Sequence, residues 1–178
     1  MDIFVSADNI ISPLGFTSVQ NFEALTKKQT GISKITSNTL SREPIYAALI
    51  DEKKIELEFN KLRTTQKYTR LEKLVILSIS DVLNQNKSIP IERPHPFILL
   101  STTKGNIDLL AEENTDGFDK KRIYLWETAN LIAHHFKNPN QALVVSNACI
   151  SGVVAIVTAK RLLETNQYDS IICCGVDI

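Results

Sequence analysis

Cys149 lies among small residues in NACISGVVAIVTAKRLLE, residues 147–164, where an apolar strand hands over to a helix. A cysteine in or beside the first turn of a helix meets free backbone N–H groups and the positive end of the helix dipole, and both favour a thiolate. The same N–H groups can hold a developing oxyanion. One short turn can therefore supply a nucleophile and half of an oxyanion hole, in the manner of the serine elbow of hydrolases. Ala148, Ser151 and Gly152 suit so sharp a turn, because small neighbours leave room for the backbone to reverse. A buried cysteine also packs as a small hydrophobe, and on these residues alone the packed and the nucleophilic readings of Cys149 stand side by side.

The other reactive side chains offer less. His134 and His135 are adjacent on an expected helix and point in different directions, and His95 sits between two prolines in a loop. Cys173 and Cys174 alternate along an expected strand, where packing is their ordinary role. Three cysteines, two of them adjacent, make neither a disulfide scaffold nor a zinc site, so no metal or cofactor is expected, and a reducing cytoplasm is the natural setting. Lys104, in the STTKGN loop after a buried strand, reads as an interface residue before a catalytic one.

The elements that must position Cys149 follow from the apolar pattern. Ile3–Val5, Ile45–Ile50, Phe97–Leu100, Leu143–Val145 and Ile171–Cys174 read as strands. Val19–Lys28, Lys61–Asn86, Trp126–Phe136 and Ile150–Glu164 read as helices, the first closed by Gly31, and Ile107–Glu113 as a helical turn or two. Ser12–Gly15 is a turn, and Thr115–Lys121 is a polar, exposed segment. Val153, Val154, Ile156, Val157, Leu162 and Leu163 nearly surround the last helix, which predicts a buried central helix. Strands alternating with helices define an α/β fold, a mostly parallel mixed sheet with helices on both faces, in a single domain over residues 1–178. Balanced charge, 20 basic against 20 acidic residues, argues against nucleic acid as a ligand. Asp2 and the polar residues after it do not fit a secretory signal, and the uncharged run Ala142–Ala159 is broken by polar residues at its centre, so no membrane span is expected.

The chain resembles the β-ketoacyl-[acyl carrier protein] synthases of the thiolase-like fold. The residues that carry the likeness are Ala148, Cys149, Ser151, Gly152, Ala155, Ile156, Asp169, Gly175 and Asp177, with ISPLG at Ile11–Gly15, TGISKI at Thr30–Ile35 and TANLIAHHF at Thr128–Phe136. Cys174 departs from the pattern, standing where the family has the first glycine of a pair, and Asn138–Asn147 lacks the customary Gly-Pro and Thr. The resemblance implies the N-terminal, nucleophile-bearing half of such an enzyme. Cys149 would accept an acyl group from an acyl carrier protein, its backbone N–H serving as oxyanion donor, and a decarboxylated malonyl unit would then extend the chain. The family's second half, which supplies the two basic residues for decarboxylation, a lysine and the other oxyanion donor, has no counterpart in this sequence. Full turnover by this chain alone is therefore not expected, and the implied partners are the carrier protein and either a second copy, as a homodimer, or a C-terminal half chain. Two alternatives accompany this reading. One is a non-catalytic fragment or assembly subunit that associates with itself or with a separate second half; the other is a thiolase-fold acyltransferase using coenzyme A thioesters.

Overall fold

A computed structural model describes residues 2–37, 40–111 and 117–178. They divide into two compact units, Asp8–Thr65 and Gln66–Ile178, the latter joined by the segment up to Ala7.

The first unit holds helix α1 (Ser18–Thr26), an antiparallel pair β1 (Ile32–Ile35) and β2 (Ile45–Ala48), and helix α2 (Glu52–Asn60). The Thr17 side chain caps α1 by accepting from the Gln20 N–H, and Asp51 caps α2 in the same way from the Lys53 N–H. The Ser12–Gly15 turn closes on itself through the Ser12 N–H to the Gly15 carbonyl at 2.8 Å. Asn21 then fastens it to α1: its amide donates to the carbonyls of Ile10, Gly15 and Thr17 at 2.9, 3.1 and 2.9 Å, and its oxygen accepts from the Ser12 hydroxyl. A Cβ on Gly15 would lie 2.4 Å from the Gln20 Cβ, so the turn needs glycine there.

Two expectations fail in the N-terminal region. Ile3–Val5 forms no strand, and Phe4 and Val5 are largely exposed. Helix α1 forms as its spacing predicts, with Asn21 and Ala24 buried and Val19, Phe22 and Leu25 exposed. Helix α1 ends at Lys27 and Lys28, whose φ of 55° supplies the left-handed residue expected of Gly31.

The second unit is a parallel sheet in the order β4 (Leu143–Val145), β3 (Pro96–Ser101), β5 (Ser170–Gly175). Every residue of β3 is buried, as a central strand covered on both faces requires. Ile98 and Leu100 of β3 join Ile172 and Cys174 of β5 on one face, against Leu71, Val75 and Ile79 of α3 (Arg70–Gln85) and Ala129, Ile132 and Ala133 of α4 (Leu125–His135). On the other face the Cys173 thiol turns to the Ala155 carbonyl of α5 (Ser151–Glu164) at 3.9 Å. A short 3-10 helix at Ile107–Leu110 answers the expected helical turn; Glu112 and Glu113 of that segment, and Thr115 and Asp116 of the polar segment after it, lie outside the described residues. No helix of the described residues is long and apolar enough to cross a membrane.

A buried polar cluster locks this unit. Glu72, fully buried in the first turn of α3, accepts from the Thr69 N–H at 2.8 Å in a capping box and pairs with Arg122 at 2.9 Å. Asn106, also fully buried, accepts from the Thr69 hydroxyl at 2.6 Å and donates to Glu72 at 3.1 Å and to the Thr128 hydroxyl at 3.2 Å. The polar loop after β3 is thereby pinned to the starts of α3 and α4. Burial pushes the Glu72 carboxyl above its ordinary range, against the opposing pull of the Thr69 N–H, Arg122 and Asn106.

Candidate functional site around Cys149

The turn between β4 and α5 is built from three local features. Ala148 has φ of 46°, the left-handed region that a non-glycine residue enters at a cost of roughly 1 kcal/mol. The Ser151 hydroxyl, nearly buried, repays this by accepting from the Asn147 N–H and donating to the Ala148 carbonyl, both at 2.7 Å. The Ile150 and Ser151 N–H groups return to the Asn147 and Ala148 carbonyls at 3.2 Å each. Those two donors are thus occupied by the turn itself. Cys149 stands one residue before the Ile150 N-cap, and it is exposed. The Ser of the sequence motif closes the turn with its hydroxyl. Ser151→Ala is expected to cost about 1–2 kcal/mol, read as a lower urea midpoint at unchanged slope, because the Asn147 N–H and Ala148 carbonyl lose their partner.

A cavity of about 600 Å³ opens over this turn, lined by Ala148, Cys149, Ser151 and Gly152, by Ser101 and Thr103, and by Gly175–Asp177. The ends of all three parallel strands, or the turns that leave them, border it. That is where ligands collect in open α/β sheets. Asp177 fastens the β5 end to the loop after β3: its Oδ1 accepts from the Thr102 hydroxyl at 3.1 Å, the Thr103 N–H at 3.0 Å and the Thr103 hydroxyl at 2.9 Å. Partial burial works to raise the Asp177 pKa, but these bonds and one from the Lys104 N–H outweigh it and hold the carboxyl below its usual value.

The remaining sequence candidates lie elsewhere or serve packing. His135 is held by Tyr68, whose hydroxyl lies 2.8 Å from Nδ1, and burial lowers its pKa. His134 and His95 are exposed, and the His95 carbonyl accepts from the Asp169 N–H at 3.3 Å. Cys174 is buried and its thiol is pushed up to about 12 by burial and then by Cys173; burial also raises Cys173. Neither favours a thiolate. Lys104 is exposed, its side chain outside the cavity lining. Among the described residues no three His, Cys, Asp or Glu side chains converge as metal ligands would.

Helix α5 departs most from expectation. It packs on the sheet through Ala155 and Ala159, whereas Ile150, Val153, Ile156 and Val157 are 54, 64, 65 and 42% exposed. Its two narrow alanines fit the sheet, and its bulkier side is left exposed among the described residues.

The parallel α/β sheet carries the cysteine turn at the end of its edge strand β4, and the solved structures it matches show the fold to be thiolase-like. The chain is similar to a solved structure described as the ishigamide ketosynthase/chain length factor, with TM-score 0.73 and 16% identity over 92% of this chain and 49% of that one. It is also similar to a chain of the ketosynthase in complex with its chain length factor from Xenorhabdus doucetiae, with TM-score 0.63 and 14% identity over 94% of this chain and 47% of that one. At these identities the likeness establishes the fold, and the chain spans about half the length of the solved chains it matches. No family model and no curated protein matches the sequence.

Proposed function

We propose that this chain acts first as an assembly half of a ketosynthase-like unit, joining through the bare side of α5 to the complementary half of the fold or, where that half is missing, to a copy of itself. The observation that carries this reading is the exposure of Val153 and Ile156 on the helix that leaves Cys149. Contiguous exposed apolar side chains mark a surface meant to be covered, and burying each fully is worth about 1.5–3 kcal/mol. Both solved relatives are described with a ketosynthase and a chain length factor, which supports an assembly of two related parts. Ile156→Glu is expected to weaken self-association at least about tenfold, measured as the concentration dependence of mass in solution, because burying an unpaired carboxylate opposes the contact.

A second reading is favoured by the exposed Cys149 on its closed turn, open to the cavity. In the assembled unit the Cys149 thiolate attacks the carbonyl carbon of an acyl carrier protein thioester. The tetrahedral intermediate collapses, expelling the carrier thiolate and leaving the acyl group on Sγ, with the Cys149 backbone N–H as one oxyanion donor. A malonyl thioester then loses CO2, its carbanion attacks the acyl-enzyme, and the thiolate is released. Groups that promote decarboxylation belong to the complementary half. With three free cysteines, we assign the protein to the reducing cytoplasm. Transfer of a radiolabelled acyl group from carrier protein to the assembled unit tests this chemistry; label that remains after Cys149→Ala substitution excludes it.

A further inference from the structure

We propose that His135 is an acid-sensitive catch for the strap Gln66–Thr69: as a neutral ring it holds Tyr68 at the end of α4, and on taking up a proton it lets the strap open. The strap leads into α3, and it begins where the sheet-bearing unit begins, after Thr65. Three fastenings hold it. Tyr68, 3% exposed, brings its hydroxyl to 2.8 Å from His135 Nδ1, and the two rings meet nearly at right angles with centroids 5.2 Å apart. The Lys67 carbonyl accepts from Arg122 Nη1 at 3.1 Å. Thr69 forms the capping box with Glu72 and donates to Asn106 at 2.6 Å, so the strap also supports the loop after β3. The Tyr68 hydroxyl proton goes to Gln66 Oε1 at 2.9 Å, so toward His135 the same oxygen accepts. Nδ1 therefore carries the ring hydrogen, and Nε2 is the nitrogen that a further proton would join.

That proton would create a cation where no carboxylate balances it. His135 is half-buried between Tyr68 and the Phe136 ring, whose centroid lies 4.8 Å away. The elements packed against α4 are α3, the 3-10 helix Lys120–Ile123, β3 and β4. Strands β3 and β4 carry no charge, α3 carries Arg70, Glu72, Lys73 and Asp81, and the 3-10 helix carries Lys120, Lys121 and Arg122. Lys67 lies on the strap itself, Glu127 and His134 lie at the two ends of α4, and Lys137 beyond it pairs with Glu92 at 3.4 Å. Glu72 is held by Arg122 and Asp81 accepts from the Gln85 amide at 2.8 Å; among the described residues no acid pairs with His135. Burial is what moves the His135 pKa, and it moves it down. A histidine whose folded value lies below its ordinary 6.5 contributes stability that is fully present above 6.5 and is lost as pH falls through the folded value. Glu72, in the capping box with Thr69, acts in the opposite sense, so loosening of the strap on acidification cannot come from it.

The test takes two measurements on the 178-residue chain, and it depends neither on Cys149 nor on α5. The histidines are three, His95, His134 and His135, so proton NMR can follow each ring through its titration, with His95→Gln and His134→Gln assigning the lines. His135 is expected to titrate below 6.5. Hydrogen exchange of the peptide spanning the strap, corrected for the intrinsic rate, should then show protection falling severalfold between about pH 7 and about pH 5, with a limit of about tenfold per pH unit for one proton. His135→Gln, which stays neutral, should abolish that dependence, whereas His134→Gln, at the exposed neighbour, should keep it. A ring that only packs would leave protection in the unsubstituted chain the same at both ends of the range. Constant protection of that kind overturns the catch, as does a His135 ring that titrates at or above 6.5, or a dependence that survives in folded His135→Gln. Should His135→Gln not fold, the unsubstituted and His134→Gln chains decide the matter by the first two results.

Discussion

Replacing Glu72 with alanine is expected to destabilise the sheet-bearing unit by about 3–5 kcal/mol, the cost of breaking a buried ion pair by removing one partner. Arg122, whose side chain is 14% exposed, would lose its 2.9 Å carboxylate partner, and the Thr69 N–H and the Asn106 amide would lose acceptors at 2.8 and 3.1 Å. Glu72→Gln should cost far less, about 1 kcal/mol at neutral pH, because burial already disfavours the charged form and the amide oxygen can still accept. The sign of the pH dependence follows. Since the folded-state pKa of Glu72 is raised, its contribution is fully present below the ordinary value of 4.5 and is lost as pH climbs through the folded value. Urea titrations of the unsubstituted chain and Glu72→Gln across the acid range should therefore show the stability gap between them narrowing as pH rises. A gap that widens would reverse the balance between burial and Arg122.

The second large effect concerns Cys149. In the assembled unit, Cys149→Ala is expected to reduce acyl transfer by on the order of 10³-fold or more, as removal of a nucleophile does. In the isolated chain the same chemistry can be read with cerulenin, an epoxide that alkylates thiols, by intact mass and peptide mapping over a dose series. Modification should fall on Cys149 before Cys173, which is also exposed but whose thiol desolvation pushes up, and before the buried Cys174, whose thiol burial pushes up further. Even labelling of the three would mean that the turn is closed by Ser151 yet gives Cys149 no advantage.

Much of the frame around Cys149 was legible because continuous apolar runs bounded by polar turns leave little choice. Phe97–Leu100, Leu143–Val145 and Ile171–Cys174 reappear as β3, β4 and β5, and the expected helix from Ile150 begins one residue later, at Ser151. What misled is equally physical. Helix α2 is mostly charged, with Ile55 and Phe59 as its buried residues, so periodicity hardly marks it, and β1 is four residues long. On α5 the pattern correctly signalled apolar faces all round, but a sequence cannot say which of them the same chain covers. The clamp on Asp177 and the Glu72–Asn106 cluster join residues 74 or 75 and 34 positions apart, and no local spacing announces such pairs. Asp177 was visible as a motif residue; its Thr102 and Thr103 partners were visible only as a polar loop.

The most direct test of the assembly reading is sedimentation equilibrium of the 20.0 kDa chain over a range of concentrations, beside Ile156→Glu. The bare side of α5 predicts a mass that rises above 20.0 kDa with concentration and returns to that value in the Ile156→Glu chain. A folded chain that stays at 20.0 kDa at every concentration, with α5 unsubstituted, would contradict it.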